Sequence, residues 1–311
     1  MMDSPIIVET NRLTRDFKHI RAVDGLNLII HQGEVFGLVG PDGAGKTTTL
    51  RLLAGLLNIT DGSVIVAGYD LSEDSESIKS IIGYMAQQFS LYGELSVIEN
   101  LNFFAELFDV RGDVREERIK RLLTFARLEE FQDRRASRLS GGMQKKLALA
   151  CTLINEPDIL LLDEPTTGVD PVSRREFWDI LTELHLAGTT IVVSTPYMDE
   201  AERCTRVGLM YGGQLVVCDD PRHIRSMVEG DLIEILPDDW RLARQVLEAA
   251  PGVLEVQTYG ENLRVFVDSA EERIPQLEKV LDHNGVSHRG LRQTSSSMEE
   301  AFISLTRGLE A

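Results

Sequence analysis

The sequence predicts an α/β chain in two parts, a larger domain over residues 1–228 built on a mixed sheet and a small α+β domain over residues 229–311. Three observations predict it. Apolar runs at Val35–Val39 and Ile159–Leu162 read as strands buried on both faces, as parallel sheets require. A glycine-rich loop, Gly40-Pro41-Asp42-Gly43-Ala44-Gly45-Lys46-Thr47, follows the first run and opens a segment with Leu50, Leu53, Ala54 and Leu57 at helical spacing. Beyond Val228 the alternation changes to short strands and helices in the order of a split βαβ unit, a ferredoxin-like arrangement.

Composition limits the classes open to such a chain. At 311 residues, about two domains are expected. Hydrophobic content of 43% and charged content of 26% match a globular protein, and no apolar run approaches the ~18 residues of a membrane span. Met1–Pro5 lacks the basic-then-apolar layout of a signal peptide. Cys151, Cys204 and Cys218 lie in apolar surroundings without metal or redox spacing and are expected as reduced core thiols, which suits a cytoplasmic location. A net charge of −18 and the absence of basic runs argue against a nucleic-acid partner.

Taken in order, Ile6–Leu13 and Leu26–Ile30 read as strands, with Phe17 between them. An isolated aromatic is ordinarily core; the other reading is a face on which a purine stacks. The glycine-rich loop fits G-x-x-x-x-G-K-[ST] between a strand and a helix, the context in which that pattern cradles phosphates. Gly43 and Gly45 let backbone N–H groups turn inward, and the helix beginning at Lys46 aims its positive end at the same point. Lys46 would reach the β- and γ-phosphates and Thr47 would hold Mg²⁺. Asp61-Gly62 leads into a strand at Ser63–Val66, Gly68-Tyr69-Asp70 reads as a turn, and Ile81–Met85 as a strand ending at Gln87. A glutamine there is either a surface amide or a group on the Mg²⁺ of a bound nucleotide.

From Val97 to Leu128 the period is helical, marking an inserted lobe over about 88–155. Leu139-Ser140-Gly141-Gly142-Met143 starts its last helix. Ser140 is a capping residue, but capping leaves two glycines at a helix start unexplained, at ~1 kcal/mol each against alanine. Close approach of the backbone to a ligand explains them. Asp163 and Glu164 follow the buried run Ile159–Leu162, so they face the crevice where open α/β sheets bind ligands. Asp163 would act on Mg²⁺ and Glu164 on an attacking water. Asp170 and Pro171 cap and begin a helix whose buried face is Phe177, Ile180, Leu181 and Leu184. Thr190–Ser194 is a strand, Met198–Cys204 a short helix, and Val207–Tyr211 with Gln214–Val217 a hairpin. In the second part, Asp231–Leu236, Val253–Thr258, Leu263–Val267 and Val286–Arg292 read as strands, and Arg241–Ala249, Glu272–Asn284 and Met298–Arg307 as helices.

The ordered set GPDGAGKTTT, YMAQQ, LSGGMQKKL, ILLLDEPTTGVDP and STPYMDEAERC resembles the nucleotide-binding subunits of ABC transporters over about Ile6–Val228, within the P-loop NTPase fold. The closest type is that of multidrug, polysaccharide and ABC-2 exporters with a short accessory tail; Ser297–Thr306 resembles the motif that ends many such chains. The resemblance implies ATP and Mg²⁺ as cofactors, with Phe17 stacking adenine and Gly40, Pro41, Asp42, Gly43, Ala44, Gly45, Lys46, Thr47 and Thr48 forming the phosphate cradle. Thr47, Gln87 and Asp163 would hold the metal, and Glu164 would be the general base. Leu139, Ser140, Gly141, Gly142 and Met143 would cover the γ-phosphate on a second subunit, and Asp170 would form the loop that crosses the dimer. It further implies a homodimer or heterodimer, a separate transmembrane permease, and a position peripheral to the inner face of the cell membrane.

Three positions depart from the family pattern. Asp42 stands for the usual Asn and Ala86 for a usual Pro, and both are tolerable. Pro196 stands where the family carries a histidine that bonds the γ-phosphate. Proline offers no donor, and loss of one transition-state donor costs ~2.7–4 kcal/mol, a ~10²–10³-fold slower step. Tyr197 is the nearest side-chain donor in sequence. The leading reading is therefore an ATPase subunit that powers export. One alternative is a weakly hydrolysing regulatory subunit, and another is a soluble ABC ATPase outside transport.

Overall fold

The computed structural model describes residues 4–88, 91–228 and 230–306; residues 1–3 of the leader reading and Arg307 of the terminal helix lie outside them. The chain divides into two compact units, Met1–Asp220 and Pro221–Ala311, where the sequence reading draws its line at 228.

The first unit opens with β1 (Ile6–Phe17) and β2 (Ile20–His31), an antiparallel hairpin turned at Lys18-His19. Both strands are longer than the sequence pattern suggests. Register shifts between Thr10 and Leu13 and again near Arg15 break the inside–outside alternation while pairing continues to Phe17 and Ile20. β3 (Val35–Val39) is buried at all five positions and runs into the glycine loop and α1 (Lys46–Leu53). β4 (Asp61–Val66) and β5 (Tyr69–Asp70) join the hairpin in a four-stranded sheet of order β2-β1-β4-β5, so the turn expected at Gly68–Asp70 carries a two-residue strand.

α2 (Ser75–Ile81) precedes β6 (Ile82–Met85). The helical lobe follows as α3 (Val97–Leu107), α4 (Gly112–Ala126) and α5 (Gly141–Thr152). A reciprocal capping box between Ser96 and Glu99 starts α3. The fully buried Asn100 side chain bonds the backbone of Tyr92, Leu95 and Ser96, which fixes the entry into the lobe. The chain then returns through β7 (Ile159–Asp163), α6 (Pro171–Leu186), β8 (Thr190–Thr195), α7 (Met198–Ala201), β9 (Arg206–Tyr211) and β10 (Gln214–Asp219).

The second sheet has the order β10-β9-β3-β8-β7-β6, parallel except for the β9–β10 hairpin. This register builds the site. Val39 pairs with Thr195, Asp163 with Ser194, and Met85 with Leu162. The glycine loop, Pro196, Glu164 and Gln87 therefore leave adjacent strands at one carboxyl edge, although they are far apart in sequence.

The second unit runs α8 (Pro221–Ser226), β11 (Asp231–Pro237), α9 (Trp240–Glu248), β12 (Val253–Tyr259), β13 (Asn262–Val267), α10 (Ala270–His283), β14 (His288–Thr294) and α11 (Met298–Thr306). Its antiparallel sheet has the order β12-β13-β11-β14, the split βαβ arrangement. Ile233, Ile235 and Val265 pack there against Leu247 of α9 and Leu277 and Leu281 of α10.

Candidate functional site

The loop after β3 forms a cradle because two of its residues have no room for a side chain. A Cβ at Gly40 would lie 2.2 Å from the Met210 carbonyl oxygen, and one at Gly45 would lie 2.4 Å from that of Ala22. Gly45 also has φ 102° at the start of α1, a conformation only glycine adopts freely. The first turn of α1 carries no acidic residue, so its free N–H groups and positive end stay available to an anion. Lys46 is buried, and its ammonium donates to the Gly40 and Pro41 carbonyls at 2.8 and 2.9 Å. Residues 42–48 line one cavity of about 410 Å³ together with Gln87 and Glu164.

The carboxylates enter from β7. Asp163 is wholly buried; its Oδ1 accepts from Thr47 Oγ1 at 2.9 Å and Ser194 Oγ at 2.8 Å, and its Oδ2 from the Tyr84 phenol at 3.3 Å. Burial raises the Tyr84 pKa, which keeps that phenol a donor. Glu164 sits at φ 44°, a strained backbone for a residue with a side chain, and its N–H is held by Ser194 Oγ at 3.0 Å and by the Ser194 carbonyl at 3.2 Å. Its Oε2 accepts from Gln87 Nε2 at 2.7 Å and Thr167 Oγ1 at 3.2 Å, while Oε1 lies 3.5 Å from the Lys46 ammonium. A cation, two carboxylates, a hydroxyl and an amide thus converge beside a helix N-terminus. Such a set binds a polyanion and places a base next to it.

The other predicted residues lie elsewhere in the unit. Phe17 is 39% exposed at the end of β1, with the Arg15 guanidinium 4.5 Å from its ring centroid. Ser140 is exposed, and its Oγ accepts from Met143 N at 3.3 Å. Leu139 is buried and Met143 half-buried. Gly141 is exposed, and a Cβ there would have only the Gly168 carbonyl oxygen nearby, at 3.8 Å. Gly142 has a reason inside its own chain, since a Cβ there would meet the Ser173 Cβ at 2.5 Å. Packing of α5 on α6 therefore accounts for this glycine without a ligand. Asp170 accepts from Val172 N and Ser173 N at the start of α6, and the bond from Ser173 holds its carboxyl below the usual range. The Tyr197 ring stacks under Arg174, 4.2 Å from the guanidinium carbon, and neither Pro196 nor Tyr197 lines this cavity.

Comparison with known proteins gives the family. The family described as ABC transporter matches residues 23–167. The Nod factor export ATP-binding protein I of Cupriavidus pinatubonensis is 36% identical over 302 residues, covering 96% of this chain and 90% of its own. The chain belongs to the ABC transporter ATP-binding proteins. The probable multidrug ABC transporter ATP-binding protein YbhF of Escherichia coli is 42% identical over 291 residues, 92% of this chain but 49% of YbhF, so the chain spans about half the length of that relative. Among solved structures, the ABC cassette MJ0796 in a dimeric post-hydrolysis state bound to ADP and Pi superposes with a TM-score of 0.63 at 29% identity, covering 69% of this chain and 98% of that one. CbiO1 of Clostridium perfringens, part of the ABC transporter complex cbiONQ, gives a TM-score of 0.67 at 25% identity over 80% of this chain and 97% of that one. These likenesses do not favour the regulatory or the non-transport reading.

Within this ABC cassette the structure adds residues that sequence reasoning passed over. Ser194 holds both Asp163 and the Glu164 backbone. Glu200 is buried and accepts from Thr166 Oγ1 at 2.6 Å and Thr195 Oγ1 at 2.8 Å, which ties the segment after Glu164 to the end of β8. Lys145 donates to the Gln87 carbonyl at 2.6 Å. Ser194 and Thr195 were visible as polar residues closing an apolar run, but nothing local indicated their partners.

Proposed function

We propose that the chain binds MgATP on residues 40–48, pairs with a second ABC subunit over the trapped nucleotide, and hydrolyses it to power export through a separate transmembrane permease. The single observation that carries the catalytic part is the convergence of Lys46, Thr47, Gln87 and Glu164 on one cavity, with the buried Asp163 bonded to Thr47 beneath it. Thr47 and Asp163 bring a hydroxyl and a carboxylate together, and Gln87, whose Nε2 is used on Glu164, has an amide oxygen left to offer on the same cavity; such oxygens are the hard ligands Mg²⁺ takes when phosphates complete its shell. Among the described residues no cluster of three His, Cys, Asp or Glu exists, and a phosphate-completed Mg²⁺ needs none. Bound magnesium would neutralise charge on the β- and γ-phosphates. Thr47, Asp163 and Gln87 would hold it, Lys46 would attract the γ-phosphate, and Glu164 would take the proton of the attacking water as phosphate and ADP form.

In this proposal Phe17 stacks adenine, and residues 139–143 with Asp170 face the nucleotide on the second subunit. The exposure of Ser140 and Gly141 supports that reading. No helix of the described residues is long and apolar enough to cross a membrane. The lobe presents an apolar surface at Tyr92, Phe103, Leu107 and Phe108, with the rings of Tyr92 and Phe103 4.7 Å apart, and this supports docking of a permease at the inner face of the membrane. Residues 1–228 would be the motor and 229–311 an accessory domain. The test is co-purification: the tagged chain, expressed with its natural partners, should be captured with a membrane protein after detergent extraction. Recovery wholly free of membrane protein would refute the transport assignment.

A further inference from the structure

The residue after Gln144 is doubly unusual. Lys146, next to it, is buried and paired with Glu176, which fastens α5 to α6. Lys145 instead leaves α5 toward the end of β6, and its one hydrogen bond among the described residues is to the Gln87 carbonyl at 2.6 Å. The Gln87 side chain in turn donates to Glu164 at 2.7 Å. A continuous chain of bonds thus runs from α5 through Gln87 to the proposed base. Burial lowers the Lys145 ammonium pKa, and the charges of Asp163 and Glu164 act in the opposite direction. Half-burying this ammonium costs desolvation that the Gln87 carbonyl and the attraction of Asp163 and Glu164 only partly offset, a cost an apolar side chain of similar length avoids. Stability therefore does not account for Lys145.

We propose that Lys145 is a positioning residue that couples the two nucleotide sites of a dimer: displacement of the Ser140 end of α5 by the other subunit's nucleotide is passed through Lys145 and Gln87 to Glu164 of the same chain. The inference rests on the two-subunit reading above. Ser140 and Lys145 are about 7.5 Å apart along one helix, at 1.5 Å per residue, and a helix is stiff over that span. What moves its first turn moves the Lys145 stem. Gln87 belongs to the segment joining β6 to the lobe, so it can follow without breaking the sheet.

The test uses the full chain, Lys145→Met, and Lys145→Arg as the variant that keeps charge and reach. With a non-hydrolysable ATP analogue, deuterium uptake over residues 84–88 should change on dimerisation in the parent chain, lose that change in Lys145→Met, and regain it in Lys145→Arg. In steady state, Lys145→Met should lower the Hill coefficient for ATP from near 2 toward 1 and reduce kcat about tenfold, with Arg restoring both. Dimerisation is followed in parallel by gel filtration. A Lys145→Met dimer that keeps the parent's uptake change and Hill coefficient overturns the coupling role. A parent chain that does not dimerise at all overturns the underlying two-subunit reading instead. If Lys145→Met does not fold, Lys145→Gln carries the same measurements.

Discussion

Replacing Glu164 by glutamine separates the chemical role of its carboxylate from its structural one. The carboxylate accepts from Gln87 and Thr167 through Oε2 and faces Lys46 at 3.5 Å through Oε1. Glutamine has one acceptor oxygen. With that oxygen toward Gln87 and Thr167, its NH₂ group faces the Lys46 ammonium. The gross attraction removed is about 5 kcal/mol at 3.5 Å and an effective dielectric of ~20. Much of this is returned, because a buried carboxylate no longer has to be desolvated and Lys46 keeps its bonds to the Gly40 and Pro41 carbonyls. ATP, a polyanion, also no longer meets a negative group in its cavity. Nucleotide affinity should therefore hold or rise, while loss of the base should slow hydrolysis ~10²–10⁴-fold, or ~3–5 kcal/mol in the barrier. Phosphate release measures the rate, and equilibrium titration with a fluorescent ATP analogue measures binding. A folded variant that turns over within about threefold of the parent would show that Glu164 is not the base. A variant that binds more than tenfold more weakly would show that its charge builds the cradle rather than serving the chemistry.

Three further outcomes follow from the same geometry. Gly45→Ala puts a Cβ 2.4 Å from the Ala22 carbonyl on a backbone at φ 102°; strain of ~1–3 kcal/mol should weaken nucleotide binding about tenfold or more by the same titration, and unchanged affinity would refute the cradle argument. Pro196→His restores a donor after β8, so phosphate release should rise ~10²-fold; no increase would mean that this site does not lack that donor's contribution. In the second unit, Glu300 is 4% exposed and accepts from Arg264 at 2.7 Å and from Ser297 N at 2.6 Å; Glu300→Ala leaves a largely buried guanidinium unpaired and should cost about 3 kcal/mol in urea unfolding, whereas a cost below about 1 kcal/mol would show the pair to be dispensable.

The parts of the site that could be read in advance are those whose physics is local. Gly40–Thr47 is contiguous, so its turn, helix start and ammonium all lie within one stretch of chain. Asp163 and Glu164 follow a run too apolar to be anything but a buried strand, and Asp170 caps its own helix. What escaped depends on register between distant strands. Ser194 reaches Asp163 across 31 residues and Thr47 reaches it across 116, and no pattern within β8 says which neighbour its hydroxyls will meet. A different cause, a local pattern too weak to read, hid α2, whose seven residues bury only Ile78 and so carry no helical stripe, and shortened β1 and β2, whose bulges disrupt the alternation that marks a strand. Gly142 teaches the converse. A glycine pair at a helix start suggested a ligand, yet one member is required by Ser173 on a neighbouring helix. The case for a trans-acting surface must therefore rest on Gly141 and Ser140, which remain open to solvent. Pro196 shows how far a single substitution can be followed. The resemblance implies a missing donor at that position, and the structure sets the adjacent Tyr197 ring against Arg174, 4.2 Å from its guanidinium carbon.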